Sequence, residues 1–167
     1  PWGVARHPYT LSADLGADHE AATAGDMGKG LEPSRIVPDA LTGPAWPAIY
    51  AALGSLDTDG VPVIEGLLDA VHLDHSIRLD VAEDELLAHV GERVTAEAWA
   101  DPCRESSSGR IVAIHVLHRL ADGRILARET ERFAIRGRIG STHAPEPARS
   151  FGGIVDDGER VDVTRRR

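Results

Sequence analysis

The sequence contains a single cysteine, Cys103, and no apolar run near the length of a membrane span. One cysteine cannot form a disulfide within the chain, and it excludes a cysteine-based zinc site. A transmembrane helix needs roughly 20 consecutive, mostly apolar residues, and no such segment is present. These absences predict a soluble, cytoplasmic protein without a membrane partner.

Basic residues are also scarce, because 18 lysines and arginines accompany 27 aspartates and glutamates and give a net charge of -9. The one basic run is 165–167 at the end of the sequence. Since a nucleic-acid surface needs clustered basic residues, we expect no nucleic-acid partner. The length of 167 residues with 42% hydrophobic residues suits one core, so we predict a single domain with tails.

Residues 70–81 have apolar side chains at alternate positions. This period of two predicts a strand with one buried face, whereas helical spacing fits only the residues before it, up to Val71. We therefore predict a turn or helical entry at 63–69 and a strand at 70–81. The apolar residues of the strand pattern are Val71, Leu73, Ile77, Leu79 and Val81.

Residues 42–54 show the spacing of a one-sided helix. Trp46, Ile49, Tyr50 and Leu53 follow the i, i+3, i+4, i+7 pattern, and Gly54 suits the end of the helix. This stripe predicts packing against the core. A second interpretation is that Trp46 and Tyr50 also line a hydrophobic slot.

Further strands are predicted at 35–38, 92–100, 110–120 and 124–136, the last two joined by a tight turn at 121–123. Glu129 and Glu131 interrupt the apolar face of the last strand, so we expect that face to be partly buried or to meet another module. One helix followed by an antiparallel meander predicts the α+β class, with a central helix packed on a curved antiparallel sheet, which is the hotdog fold. We assign 1–34 to a connecting segment, 35–138 to the hotdog domain and 139–167 to a linker.

Three segments resemble the dehydratase region of type I fatty acid synthases of the bacterial multifunctional and fungal β-subunit type. They are 43–53 (GPAWPAIYAAL), 61–75 (VPVIEGLLDAVHLDH) and 131–137 (ERFAIRG). The resemblance covers about residues 30–140. It implies a MaoC-like hotdog without a cofactor, packed in an oligomeric assembly that dehydrates 3-hydroxyacyl chains on acyl carrier protein.

Dehydratases of the MaoC type carry a Gly-Asp-x-Asn-Pro-x-His signature, whose Asp and His hold the water that is added or removed. No such run is present in this sequence. By the resemblance, the signature belongs to a following hotdog of the same polypeptide, and this chain is expected to end in the linker before it. The implied role is that of a non-catalytic lyase module whose acyl-tunnel wall is formed by Trp46, Tyr50, Leu67 and Val71.

A free-standing hotdog acyl thioesterase or enoyl hydratase is the alternative. Glu65 or His72 would then be the catalytic base, because both reactions need a group that takes a proton within reach of the substrate. Strict alternation puts His72 and Asp74 on one face of the strand and His75 on the other, in the core, so no metal site is predicted. His115 and His118 fall on opposite faces of their strand and suggest no joint role.

Overall fold

The computed structural model describes residues 3–23, 36–58, 61–64, 69–106 and 109–136. The main element of these residues is an antiparallel sheet. Its strands are β1 (Ala5–Thr10), β4 (Ala70–Leu79), β5 (Arg93–Ala100), β6 (Arg104–Ser106), β7 (Gly109–Leu120) and β8 (Ile125–Ile135). A two-stranded sheet is formed by β2 (Asp57–Thr58) and β3 (Val61–Pro62), and the helices are α1 (Asp14–Thr23), α2 (Thr42–Gly54) and α3 (Glu83–Ala88), with a 3-10 helix at Pro38–Leu41.

The strand order is β1-β5-β7-β8-β4, and the short β6 pairs with the beginning of β7. β7 is a central strand, as its apolar character predicts. The hairpin from β7 to β8 is also confirmed, and its turn ends at Gly123, whose φ of 92° is a conformation that glycine adopts without strain. β4, by contrast, is an edge strand in the described part of the chain.

Helix α2 packs on one face of the sheet, which we call the inner face. Ile49 and Leu53 are buried, as the helical stripe predicts, while Trp46 is partly buried and Tyr50 is exposed. Complete burial of a leucine or isoleucine contributes about 1.5–3 kcal/mol. The residues buried in this core are Ala45, Ala48, Ile49, Ala52, Leu53, Leu56, Val63, Ala96, Ala98, Ala100, Val112, Ile114, Val116, Phe133 and Ile135.

The predicted α+β hotdog arrangement of a helix on an antiparallel sheet is therefore confirmed. Among the described residues, no helix has the length and the apolar character that crossing a bilayer requires.

The expectation of an irregular connecting segment is wrong for residues 5–10, which form a strand. β1 extends the sheet by pairing antiparallel with β5, and α1 follows it. The sequence did not reveal β1, because it has little apolar content to alternate with its polar residues Arg6 and His7. Pro8 is tolerated in this strand because β1 lies at the edge of the sheet. The strand predicted at 35–38 is wrong as well, since Pro38 begins the 3-10 helix and Arg35 lies outside the described residues. The domain boundaries predicted at 35–138 and 139–167 stay predictions.

The extent of β4 agrees with the prediction, and so does its buried face at Ile77 and Leu79, but Val71 and Leu73 are exposed. The register against β8 shifts between His72 and Asp74, so Leu73 is an extra, bulged residue and is 48% exposed. A bulge reverses the alternation that follows it. The inner face of β4 therefore holds Ala70 and His72 before the bulge, and His75, Ile77 and Leu79 after it.

The face of β8 that carries Glu129 and Glu131 is fully buried within the chain, which corrects the expectation of a partly buried face. Glu129 is 2% exposed and Glu131 is 0% exposed. Burying a carboxyl group is costly unless a partner compensates for lost water, so their partners decide how the fold accommodates them.

Candidate functional site

The candidate site lies where β4 and β8 meet on the inner face, and its centre is the pair of His72 and Glu131. The hydrogen bond between His72 Nε2 and Glu131 Oε2 is 2.5 Å long. The side chain of Glu131 is 0% exposed, whereas that of His72 is 37% exposed. The imidazole is therefore accessible to solvent, and the buried carboxyl group is hydrogen-bonded to it from the interior.

An aromatic cluster surrounds this imidazole. It consists of Trp46 and Tyr50 from α2, His72 from β4 and Phe133 from β8. The rings of Trp46 and Tyr50 stack with centroids 5.0 Å apart, and the ring of Trp46 meets that of His72 edge to face at 5.8 Å. Phe133 completes the cluster at 5.4 Å from His72. The cluster is apolar in its interior and open to solvent at Tyr50 and His72.

His75 lies on the same face of β4 as His72, directly opposite Glu131 in the register. The two imidazole rings are nearly parallel, with centroids 6.0 Å apart and an angle of 16° between their planes. His75 Nε2 also forms a 2.8 Å hydrogen bond with Asp39 Oδ1. The premise that His72 and His75 point to opposite faces is therefore wrong, because the bulge at Leu73 restores both to one face.

A second histidine–glutamate pair lies deeper on the same face. His118 from β7 and Glu129 from β8 are joined by a 3.1 Å hydrogen bond, and both side chains are fully buried. Tyr9 of β1 completes this group, since its hydroxyl oxygen is 2.9 Å from His118 Nδ1. The opposite-face placement of His115 is confirmed, because His115 bonds Thr130 and Asp101 on the outer face.

The two neighbouring carboxyl groups differ in protonation. Burial first, and then a hydrogen bond with Glu129 and the negative charge of that residue, raise the pKa of Glu131 to about 9. Burial would also raise the pKa of Glu129, but the His118 imidazole, followed by Glu131 and Thr42, lowers it below its ordinary value. Burial, followed by the charge of Glu129, raises the pKa of Tyr9. At neutral pH, Glu131 is thus a neutral acid beside the Glu129 carboxylate.

Asp74 belongs to the outer face of the sheet and not to this site. Its carboxylate accepts a bidentate pair of hydrogen bonds from Arg132, one of them 2.6 Å long. This hydrogen bonding lowers the pKa of Asp74, while burial opposes the shift. Arg132 is therefore paired with Asp74 on the outer face, whereas Glu131 lies on the inner face.

The structure brings together only part of the predicted acyl-tunnel wall. Trp46 and Tyr50 are adjacent, but Val71 pairs with Ala134 on the outer face and so cannot line one slot with Trp46. Leu67 and the alternative base Glu65 lie outside the described residues. Of the predicted catalytic candidates, His72 is the one that the structure describes, and it lies in the aromatic cluster.

Glu131, Glu129, Tyr9 and His118 were not predicted as a group. The available signal was the pair of glutamates on the apolar face of β8, because a charged residue at a core position requires a partner. His118 is another polar residue on an apolar strand face, and its position indicated where such a partner could be. The pairing itself depends on strand order, which the sequence pattern does not contain.

No protein-family model and no curated protein sequence matches this chain. Its fold is similar to solved structures from Mycobacterium tuberculosis. For HtdX the TM-score is 0.58 at 13% identity, and the match covers 79% of this chain and 50% of HtdX. For HadBC, a 3R-hydroxyacyl-ACP dehydratase complex with a truncated C terminus, the TM-score is 0.55 at 12% identity, with 78% and 93% covered.

This chain therefore spans half the length of HtdX and most of the length of the matched HadBC chain. Likeness at such low identity establishes the hotdog fold alone, because one fold hosts many functions. The function has to be argued from the site.

Proposed function

We propose that this chain is the non-catalytic, acyl-binding hotdog of a 3-hydroxyacyl-ACP dehydratase in a type I fatty acid synthase. The observation that supports this role best is the aromatic cluster of Trp46, Tyr50, His72 and Phe133, which is open to solvent beside the edge strand β4. An acyl chain would gain about 0.8 kcal/mol for each methylene that it buries there. The contribution of the aromatic cluster is to bind and orient the acyl tail.

The comparison with HadBC supports the reaction class, since that complex is a 3R-hydroxyacyl-ACP dehydratase with the same fold. The resemblance of 43–53, 61–75 and 131–137 to the synthase dehydratase region supports the pathway. On this proposal the partners are an adjacent catalytic hotdog of the same polypeptide and an acyl carrier protein, within an oligomeric assembly in the cytoplasm.

The chemistry favours a catalytic partner module. Dehydration needs a base for the α-proton and an acid for the leaving hydroxyl, each within hydrogen-bond reach of the substrate. Glu131 is an acid at neutral pH, but its side chain is fully buried behind His72. The Gly-Asp-x-Asn-Pro-x-His signature is missing from the sequence. The imidazole of His72 provides only half of the required pair, and that of His75 is hydrogen-bonded to Asp39.

A second candidate function is catalysis by His72 itself, as an enoyl hydratase or a thioesterase. The specific observation in its favour is the 2.5 Å hydrogen bond with Glu131, which holds the exposed imidazole in one orientation. A carboxyl group that positions a histidine is a recurrent arrangement for a general base. Glu65 stays the other predicted base for this reading.

Binding is tested with the isolated chain and a medium-chain enoyl thioester, followed by fluorescence or calorimetric titration. Trp46→Ala should weaken binding about tenfold, equivalent to about 1.4 kcal/mol, because it removes the central ring of the cluster. Trp99→Phe is the matched control, since Trp99 lies beside His115 on the outer face. Equal weakening by both variants, or no binding by the native chain, would contradict the acyl-binding role.

Catalysis is tested with crotonyl and longer enoyl thioesters, using the chain alone and joined to the module that follows it. We expect no useful turnover by the chain alone and dehydration by the joined form. His72→Ala and Glu65→Gln are compared with His115→Ala as the control. Clear turnover by the isolated chain that is abolished by either of the first two variants would favour the second candidate.

A further inference from the structure

We propose that His72, His75 and Glu131 bind one divalent transition-metal ion of the zinc class. One ligand atom from each of the three residues lies within 4.8 Å of the other two. We call these residues the His-His-Glu triad. The site shares His72 with the aromatic cluster, but it does not depend on the acyl-binding role, because it can be measured without any thioester.

The bulge in β4 creates the triad. Positions three apart in a regular strand face opposite sides, so His72 and His75 would be separated by the sheet. The extra residue Leu73 reverses the alternation, and His75 then lies directly opposite Glu131 in the register. Bulges frequently re-aim side chains beside functional sites, so the local irregularity is consistent with a ligand site.

The distances suit a metal with short bonds. Zinc binds histidine nitrogen and carboxylate oxygen at about 2.0–2.2 Å, so neighbouring ligand atoms in a tetrahedral site are about 3.3 Å apart. His72 Nε2 is 2.5 Å from Glu131 Oε2, and the ligand atoms of the three residues lie no more than 4.8 Å apart. The separations that zinc needs differ from these by about 1–1.5 Å. Changes in the rotamers of the two half-exposed imidazoles would provide this adjustment.

Charge also favours a cation at this position. Glu131 is completely buried beside a second buried glutamate, Glu129, and its hydrogen-bonded partner is a histidine and not an arginine or lysine. Arg132 is paired with Asp74 on the outer face, and His118 is paired with Glu129. A metal ion would supply the positive charge that lets the buried Glu131 lose its proton and bind as a carboxylate.

The donor set selects the metal. Two imidazoles with one carboxylate are typical ligands of zinc and of other borderline transition metals, whereas calcium and magnesium prefer oxygen. Asp39 would act as an outer-shell carboxylate, because it is hydrogen-bonded to His75 Nε2 and would orient the ring. Trp46 and Phe133 would form the apolar surroundings of the ion.

Metal binding by the triad and catalysis by His72 compete for the same two side chains. A Glu131 carboxylate that binds a metal ion no longer orients the imidazole through the hydrogen bond to Nε2. The aromatic cluster stays open at Tyr50 in either case. Failure of the metal site would therefore leave the acyl-binding proposal untouched, and failure of acyl binding would leave the metal site untouched.

The test is calorimetric titration of the untagged, chelator-treated chain with Zn²⁺, with Mg²⁺ and Ca²⁺ as comparison ions. We expect one tightly bound Zn²⁺ per chain. His72→Ala, His75→Ala and Glu131→Gln should each weaken binding about 100-fold or more, since loss of even an outer-shell partner costs 10–100-fold. Asp39→Asn should weaken Zn²⁺ binding about tenfold. His115→Ala should leave Zn²⁺ binding unchanged, because His115 is a half-buried histidine on the outer face.

Two further measurements make the result independent of folding defects. Zn²⁺ should raise the melting temperature of the native chain but not that of His75→Ala, whose altered side chain is half-exposed. Co²⁺ should quench Trp46, which lies beside His72, and Trp46→Phe should remove that part of the quenching. Unaltered Zn²⁺ affinity in His72→Ala and His75→Ala, an equal loss in His115→Ala, or equal binding of Mg²⁺ would overturn the proposal.

Discussion

The two histidine–glutamate pairs of this sheet contain the same side chains in opposite environments. β8 supplies both glutamates, Glu129 and Glu131, and both are buried. Glu129 is paired with His118 of the central strand β7, and that imidazole is 0% exposed. Glu131 is paired with His72 of the edge strand β4, and that imidazole is 37% exposed.

The difference shows that strand position, and not residue type, decides what such a pair can do. The His118–Glu129 pair is enclosed on both sides and completed by Tyr9, so its two groups interact with other buried side chains and not with a ligand. The His72–Glu131 pair is enclosed on one side, so its imidazole can contact a ligand. We expect the first pair to contribute to the specificity of folding, whereas the second pair is accessible to a ligand.

The largest expected effect comes from breaking the enclosed pair. His118→Ala leaves Glu129 in the core without its partner, and removal of one partner of a buried pair costs about 3–5 kcal/mol. Urea unfolding of the native and variant chains measures this loss in the free energy of unfolding.

His72→Ala is the matched variant in the open pair. Water can take the place of the half-exposed imidazole beside the buried Glu131, so the loss should be smaller than for His118→Ala, at about 1 kcal/mol. Equal losses in the two variants would mean that the environments are not different in energy, and the comparison would fail.

Tyr9→Phe should have an intermediate effect. It removes the hydroxyl that bonds His118 Nδ1 and leaves that buried nitrogen without a partner, which costs about 1–3 kcal/mol. Tyr50→Phe is the control at an exposed tyrosine and should change the free energy of unfolding by less than about 0.5 kcal/mol. If thermal or urea unfolding ranks the two variants in the reverse order, Tyr9 does not complete the enclosed pair.

The smallest effect is expected at Glu97, which is bonded to Arg6 and Arg119 on the outer face. The hydrogen bond from Arg6 lowers the pKa of Glu97 most, burial opposes this, and Arg119 adds to it. A depressed carboxyl pKa stabilises the fold above the unfolded value of about 4.3, and this contribution is lost as the pH falls through the folded pKa.

Glu97→Gln should therefore cost about 0.5–1 kcal/mol at pH 7, with the difference from the native chain shrinking below about pH 4.3. Urea unfolding between pH 7 and pH 3 measures the difference, and high salt should reduce it at pH 7 because exposed charges are screened. A cost that is constant across this range would mean that packing, and not charge, explains the variant.

Much of the fold could be predicted because local patterns encode it. The stripe of Ile49 and Leu53 identified the helix that packs on the sheet, and the turn before Gly123 identified the hairpin. The long apolar run of β7 indicated a central strand, which the sheet order confirms. These features depend on residues close in sequence, so periodicity and turn chemistry were sufficient.

The candidate site could be predicted only in part. Trp46, Tyr50 and His72 were identified as candidates, and they are neighbours in the structure. The bulge at Leu73 was missed because the apolar residues on either side of it still alternate in sequence, although they change faces in space. β1 was missed because an edge strand needs few apolar side chains when its pairing with β5 provides backbone hydrogen bonds.

The sequence by itself determined helix α2, the strands β4, β5, β7 and β8 and many of the residues that avoid water, because periodicity is a local property of a chain. It also determined that Glu129 and Glu131 would need partners if their strand face were buried. Only the tertiary structure decided which histidine is paired with each glutamate. Pairing with β7 or β4 depends on strand order and on one extra residue in the register, and both arise from contacts between segments that are far apart in the chain.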